Sequence, residues 1–342
     1  MATRAQLDAL PKAHLHLHFT GSLSPAALAA LAARAGVRLP AALSGAQAVR
    51  VSPDARGWFR FQRLYDAARA VVRGEEAMRE VIRTAAALDR AEGSRWLELQ
   101  LDPTSYAPFV GGITPALEIA LDEARAVSDE GFGMALIVAA SRTRHPLDAR
   151  ALARLAAQHA GSGAGQVVGF GLSNDERAGS TAAFGPAFAI ARRAGLAALP
   201  HGGELLGPAH IREVVRELRP TRLGHGVRAA EDPALLAALV EAGIALEACP
   251  VSNERLGVYP AAGDVPLRAL VDAGATVALG ADDPLIFDAR LTDQYAVAHA
   301  AGFDAHGLAQ LARMSFSASL APERIRAAAL ADIEAWEART AG

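Results

Sequence analysis

Short apolar runs rich in Leu, Val and Ala recur along the chain, and between them apolar positions fall three and four residues apart. The first pattern reads as buried strand and the second as amphipathic helix. The runs lie at 13–19, 95–102, 133–141, 166–173, 196–203, 222–227, 244–250 and 276–283. Helical spacing occupies 116–129, 146–160, 182–194, 208–217, 231–242 and 266–273, and Gly195, Gly243 and Gly274 stand where helices stop. Eight strands alternating with helices predict a parallel sheet closed into a (β/α)8 TIM-type barrel. The first crossover is much longer than the rest, with turn-rich sequence at 39–57 and helical spacing from Trp58. Such an insertion predicts a lid or a pocket wall. With further helices at about 304–338, and no linker or second core, residues 1–342 read as a single domain.

Composition narrows the function classes. The chain has 342 residues, 51% hydrophobic but only 5% aromatic, so its core is mainly aliphatic. A formal net charge of −3 offers no electrostatic pull toward nucleic acid. Cys249 is the single cysteine, which excludes a disulfide scaffold or a cysteine-rich zinc site and suits a reducing compartment. Neither a secretory h-region nor an apolar run of spanning length is present, so the expectation is a cytoplasmic protein with no membrane partner.

The chemistry lies at the ends of the apolar runs. HLHLH at 14–18 places His14, His16 and His18 on one face of a strand. HGGE at 201–204 supplies His201 and Glu204, GHG at 224–226 supplies His225, and ADD at 281–283 supplies Asp282 and Asp283. Taken singly, each has a plain alternative: a polar strand edge, a glycine turn with a capping glutamate, a rim histidine, a capping aspartate. Together they fall where barrel enzymes keep their active sites, at the C-terminal ends of the strands. Imidazoles and a carboxylate meeting there could hold Zn²⁺ with a position left for water, the arrangement of metal-assisted hydrolysis of a small molecule. Phosphate-loop and G-x-S-x-G motifs are absent, as is the P-C-x-x-C pattern of another zinc deaminase class.

PKAHLHLHFTGSL, HGGE, RLGHG, CPVSN and ADDPLIF, in that order from Pro11 to Phe287, resemble the motifs of the adenosine/adenine deaminase branch of the amidohydrolase superfamily. The resemblance implies one Zn²⁺ per chain, held by His16, His18, His201 and Asp282. It implies that Glu204 protonates purine N1, that His225 orients the attacking water, and that Asp283 hydrogen-bonds N7. His14 stands where the family has glutamate, and no ligand role is implied for it.

Departures from the family pattern bear on substrate. Thr20 replaces the acid that meets the ribose 5′-hydroxyl in adenosine deaminases, or the glutamate of adenine deaminases, which leaves room beyond C5′. The family glycine that meets purine N3 falls within GLSNDER, at Gly171 to Asn174, where glycine's backbone freedom is replaced at Asn174. RGWFRFQRLYD at 56–66 and DPTSYAP at 102–108 resemble an actinobacterial subgroup associated with 6-aminodeoxyfutalosine deamination in menaquinone synthesis, with Arg60 or Arg63 as candidates for the substrate's carboxylate. The expected ligand is therefore a small purine nucleoside modified at C5′. The alternatives are adenosine, 2′-deoxyadenosine or 5′-methylthioadenosine, an idle purine-binding relative, or a metal-dependent phosphoester or lactone hydrolase.

Overall fold

The structure is a computed structural model describing residues 2–44 and 48–340. All eight expected strands form: β1 (Lys12–His18), β2 (Ser94–Leu101), β3 (Gly133–Ser141), β4 (Val167–Ser173), β5 (Ala197–Gly202), β6 (Arg222–His225), β7 (Ala245–Ala248) and β8 (Val277–Leu279). They run parallel in sequence order, each paired with the next. The two ends of the sheet meet at Leu17 and Asp282. There the Asp282 N–H donates to the His16 carbonyl and the His18 N–H to the Asp282 carbonyl, both at 3.0 Å. This pair of bonds nearly closes a TIM-type barrel, with helices between the strands and more at the C-terminus.

The strands are buried along almost their whole length, as a parallel sheet covered by helices requires. One apolar cluster extends from Leu7 to Trp336. Helix Ala305–Ala318 packs on β1 and β8, behind the closing seam. The Trp336 indole donates to the Gln6 carbonyl at 2.7 Å, tying the last helix to the first turn. Among the described residues no helix is long and apolar enough to cross a membrane.

The long first crossover folds into helices Pro25–Ala35, Ala41–Ser44, Ala55–Arg69 and Glu75–Ala91. Within its turn-rich stretch, residues 45–47 lie outside the described residues. Helix Ala55–Arg69 is capped by Asp54, whose carboxylate accepts the Gly57 N–H at 2.8 Å. Its residues Trp58, Phe59, Phe61, Gln62, Tyr65 and Arg69 wall a cavity at the C-terminal mouth of the barrel. The insertion is a pocket wall.

Candidate active site

The cavity is about 450 Å³, a size that takes a ligand larger than a bare base. At its inner end His18, His201, Glu204, Asp282 and Asp283 line it. His16 and His225 lie directly behind, fully buried. The ring centroids of His16 stand 5.3 Å from His18, 4.7 Å from His201 and 4.9 Å from His225. Donor atoms of His16, His18 and Asp282 lie within 4.8 Å of one another, and so do those of His16, His201 and His225. Two triads sharing His16 thus draw β1, β5, β6 and the end of β8 to one point.

Whether these side chains suit a metal is decided by their unspent atoms. His16 gives Nδ1 to Glu247 at 2.8 Å, and its Nε2 is buried without a hydrogen-bond partner, 3.5 Å from Asp282 Oδ1. Burial alone would lower its pKa, yet the nearby carboxylates of Asp282 and Glu247 raise it to about 9. The carboxylates around this ring call for a cation, and a metal ion can supply that charge in place of the proton. His201 is pushed well below the usual histidine range by burial and the neighbouring imidazoles, so it stands neutral, as a ligand must. Burial would raise the Asp282 carboxyl, yet the close imidazoles of His16 and His18 hold it well below the usual carboxylate range. Its second oxygen accepts from Ser252 Oγ at 2.5 Å. The donor set fits Zn²⁺.

His14 does not join them. Its Nδ1 bonds Asp89 at 2.8 Å and its Nε2 accepts the Ala281 N–H at 3.0 Å, so both nitrogens are spent. It steadies the segment that carries Asp282.

Glu204 is 3% exposed and its pKa is raised well above the ordinary value by burial, then by Asp282 and Glu176. The direction of the shift favours the protonated form. Burial, then Asp282, does the same to Asp283. A Cβ on Gly21 would lie 1.8 Å from Asp283 Oδ1, so the glycine of HFTGS makes room for that carboxyl. His225 is lowered to about 3, chiefly by burial, and neither ring nitrogen has a partner; Nε2 lies 3.6 Å from Glu204 Oε1. His225, Asp282 and Asn174 all take left-handed backbone conformations, with φ of 64°, 62° and 78°. Each costs of order 1–3 kcal/mol and persists because the surroundings fix it.

Some expectations about substrate contacts change. Asn174 lines the cavity and does adopt the left-handed geometry that replacing glycine was expected to forfeit. Asparagine tolerates that region better than most residues. Gly171 does not line the cavity: it is mid-strand, where an added Cβ would meet the Leu199 carbonyl oxygen at 3.3 Å. Thr20 is buried just behind the wall, its hydroxyl 2.6 Å from that of Tyr106, which does line the cavity. Arg60 and Arg63 are exposed and do not line the cavity, although Arg63 lies over the ring of Phe59, which does. Arg69 and Arg144 line it instead.

Residues not singled out from sequence support the site. Glu247 on β7 holds His16 and is held by Arg222 Nε at 2.6 Å; Arg222 also reaches Glu98, which takes the Trp96 N–H at 2.9 Å. Glu176 accepts the N–H groups of Glu204, Leu205 and Leu206 at 3.1, 2.8 and 2.7 Å, fixing the turn that presents Glu204. A charged residue inside an apolar strand run, as in RWLELQLD or IALEACP, is the signal that marks Glu98 and Glu247.

Residues 11–336 match the adenosine deaminase family. A Streptomyces virginiae protein provisionally named adenosine/adenine deaminase is 55% identical over 96% of this chain and 97% of its own. An adenine deaminase of Ralstonia nicotianae is 35% identical over 96% of both chains. An aminodeoxyfutalosine deaminase of Acidothermus cellulolyticus is 33% identical over 87% of this chain and 85% of its own. Among solved structures, an adenine deaminase from Arthrobacter aurescens superposes with a TM-score of 0.85 at 27% identity, covering 96% of this chain and 99% of the other.

Proposed function

This chain belongs to the adenosine deaminase family of the amidohydrolase superfamily, and from that premise we propose that it is a zinc-dependent hydrolytic deaminase of 6-aminopurine nucleosides, preferring an adenosine extended at C5′ such as aminodeoxyfutalosine. The reaction replaces the 6-amino group by oxygen from water and releases ammonia. The observation that carries the reading is a buried Glu204, its pKa raised, beside a cluster of imidazoles and a carboxylate that suits a metal. His16, His18, His201 and Asp282 would hold the zinc, whose chemistry there would be to lower the pKa of water to about 7 and so supply the nucleophile at neutral pH.

The side chains do the rest. Glu204 delivers its proton to N1, which makes C6 electrophilic. Asp283, also protonated, donates to N7, an acceptor. His225 is neutral and buried, so it can orient water and accept a proton without prior loss of one. His225 passes the proton it took from water to the amino nitrogen, the C6–N bond breaks and ammonia leaves, and the C6 hydroxyl returns a proton to Glu204 as the 6-oxo group forms. Burial of all three groups keeps bulk water from competing for these transfers.

Two observations favour an extended nucleoside over adenine. The cavity takes in Arg69 and Arg144 as well as the inner carboxyls, and its volume of about 450 Å³ leaves room beyond a base. The Thr20 position presents no carboxylate, and its hydroxyl is taken by Tyr106. Zinc-loaded protein should be tested against adenine, adenosine, 5′-methylthioadenosine and aminodeoxyfutalosine, following ammonia release and loss of the 6-aminopurine absorbance. A higher kcat/KM for a 5′-extended substrate than for adenosine is expected. Adenine as the best substrate would overturn the preference, and no turnover of any of them would overturn the activity.

A further inference from the structure

The outer half of the cavity is built differently from the inner half. Gln100 and Asp102, two residues apart along β2 and its continuation, both face in, as do Ala139, Ser141 and Thr143 along and beyond β3. Gln100 is 2% exposed, and both its amide oxygen and nitrogen lack a partner among the described residues. A buried amide left unpaired is costly, so this one is aimed at a polar group that comes with the ligand. Beyond it stand two guanidinium groups. Arg69 ends helix Ala55–Arg69 and packs its guanidinium 4.8 Å from the Tyr65 ring centroid. Arg144 follows β3.

Neither arginine is firmly paired. Arg69 Nη1 lies 3.3 Å from Asp66, whose side chain is 54% exposed and also takes the Gln62 amide at 3.0 Å. Arg144 Nε lies 4.0 Å from Asp102 Oδ2, beyond hydrogen-bond reach. The other Asp102 oxygen is taken by the Thr104 N–H and hydroxyl at 3.0 and 2.6 Å. The third nearby carboxylate, Asp175, is engaged by Arg177 at 2.7 and 3.1 Å. The hydroxyls of Ser105, Ser141 and Thr143 add donors on the same wall. Arg69 lies near Tyr106 and Asp102, and Asp102 in turn lies beside Arg144, so the two guanidinium groups share one stretch of wall next to the Thr20–Tyr106 pair.

We propose that Arg69 and Arg144 form an anion subsite in the cavity wall beside Tyr106, taking a carboxylate or phosphate carried on the 5′ side of the nucleoside while Gln100 meets its sugar. The assignment rests on the purine-nucleoside reading above. Planar guanidinium forks match either anion, and a wall that excludes part of the water strengthens the bond.

The test compares substrates that differ in the 5′ arm: neutral 5′-methylthioadenosine, carboxylate-bearing aminodeoxyfutalosine and phosphate-bearing AMP. Wild-type kcat/KM should be higher for at least one anionic arm than for the neutral one. The better of the two anions identifies the natural group as carboxylate or phosphate. Arg69→Gln and Arg144→Gln should each lower the anionic-to-neutral ratio by about 10- to 100-fold, as loss of a charge-assisted bond does. Arg144→Lys should recover part of the loss. A ratio that stays within twofold of wild type in both glutamine variants overturns the subsite while leaving the deaminase reading intact. Calorimetry with IMP against inosine supplies a readout independent of turnover. Tighter IMP binding that weakens in the variants supports the subsite, and equal affinities argue against it even if every substrate is deaminated.

Discussion

In the proposed reaction Glu204 would carry the part of the chemistry that an activated water cannot provide, a proton placed at N1. Glutamine has the same shape and can still hydrogen-bond there but cannot give up a proton in the same way. Glu204→Gln is expected to keep its zinc content and melting temperature while losing about 10²- to 10⁴-fold in kcat. Metal analysis beside ammonia release checks both halves, and near-normal turnover removes Glu204 from its role. The sign of the pH response follows from the same group. Its pKa is raised by burial, so the protonated form persists through neutrality and is lost as pH climbs through the raised value. Asp283, raised for the same reason, must also stay protonated to donate to N7, and it acts in the same direction. In the zinc-loaded enzyme kcat/KM should therefore hold at neutral pH and fall on the alkaline side. A profile flat or rising to pH 10 contradicts the acid role.

At the scale of strands and loops, the barrel was readable because buried parallel strands are continuous apolar runs and the helices between them keep one apolar stripe. The departures are local. The eighth run was expected to stay extended through Asp283, but the ladder stops at Leu279, and Asp282 turns left-handed to bridge β1. Backbone sign is invisible in an apolar pattern. Helix Leu291–Ala300 escaped notice because it buries Thr292 and Gln294 along with Leu291 and Tyr295, which blurs its stripe. The metal-ligand candidates were legible as clusters at strand ends, whereas their supports were single residues inside strands. Glu247 is the clearest. It is 1% exposed, and its pKa is pulled to about 2 because Arg222 and His16 outweigh burial. Glu247→Gln should weaken zinc binding by about 10- to 100-fold, since the tautomer and angle of His16 are no longer fixed by a carboxylate. Because Arg222 keeps Glu98, the fold should lose no more than about 3–5 kcal/mol, the cost of breaking a buried pair outright. Chelator competition and denaturant melts of the zinc-saturated variant separate these effects. Unchanged metal affinity with a lower melting point would leave Glu247 a purely structural residue.

For the whole molecule, the decisive feature is where the candidate metal ligands sit relative to the closure of the barrel. His16 and His18 belong to the first strand, Asp282 follows the last, and His201 ends the fifth. The seam between first and last strands depends on the two backbone bonds that Asp282 makes to His16 and His18. Those same residues would share the ion, so a bound metal spans the seam where the sheet is otherwise least connected. Without it, His16 and Asp282 remain buried with unspent charge and donors, and the left-handed backbone at Asp282 loses one of the contacts that hold it. Free zinc at about 1,000 times its dissociation constant adds roughly 4 kcal/mol to stability by mass action alone. That gain raises global melting wherever the ion binds, so melting cannot locate the effect. Amide hydrogen exchange can. Stripping zinc with a chelator should deprotect the His18 and Asp282 amides first, ahead of β3 and β4, whose ladder is continuous from Ile137 to Ser141. Uniform loss of protection across all strands would mean that the ion stabilises the barrel without bridging its ends.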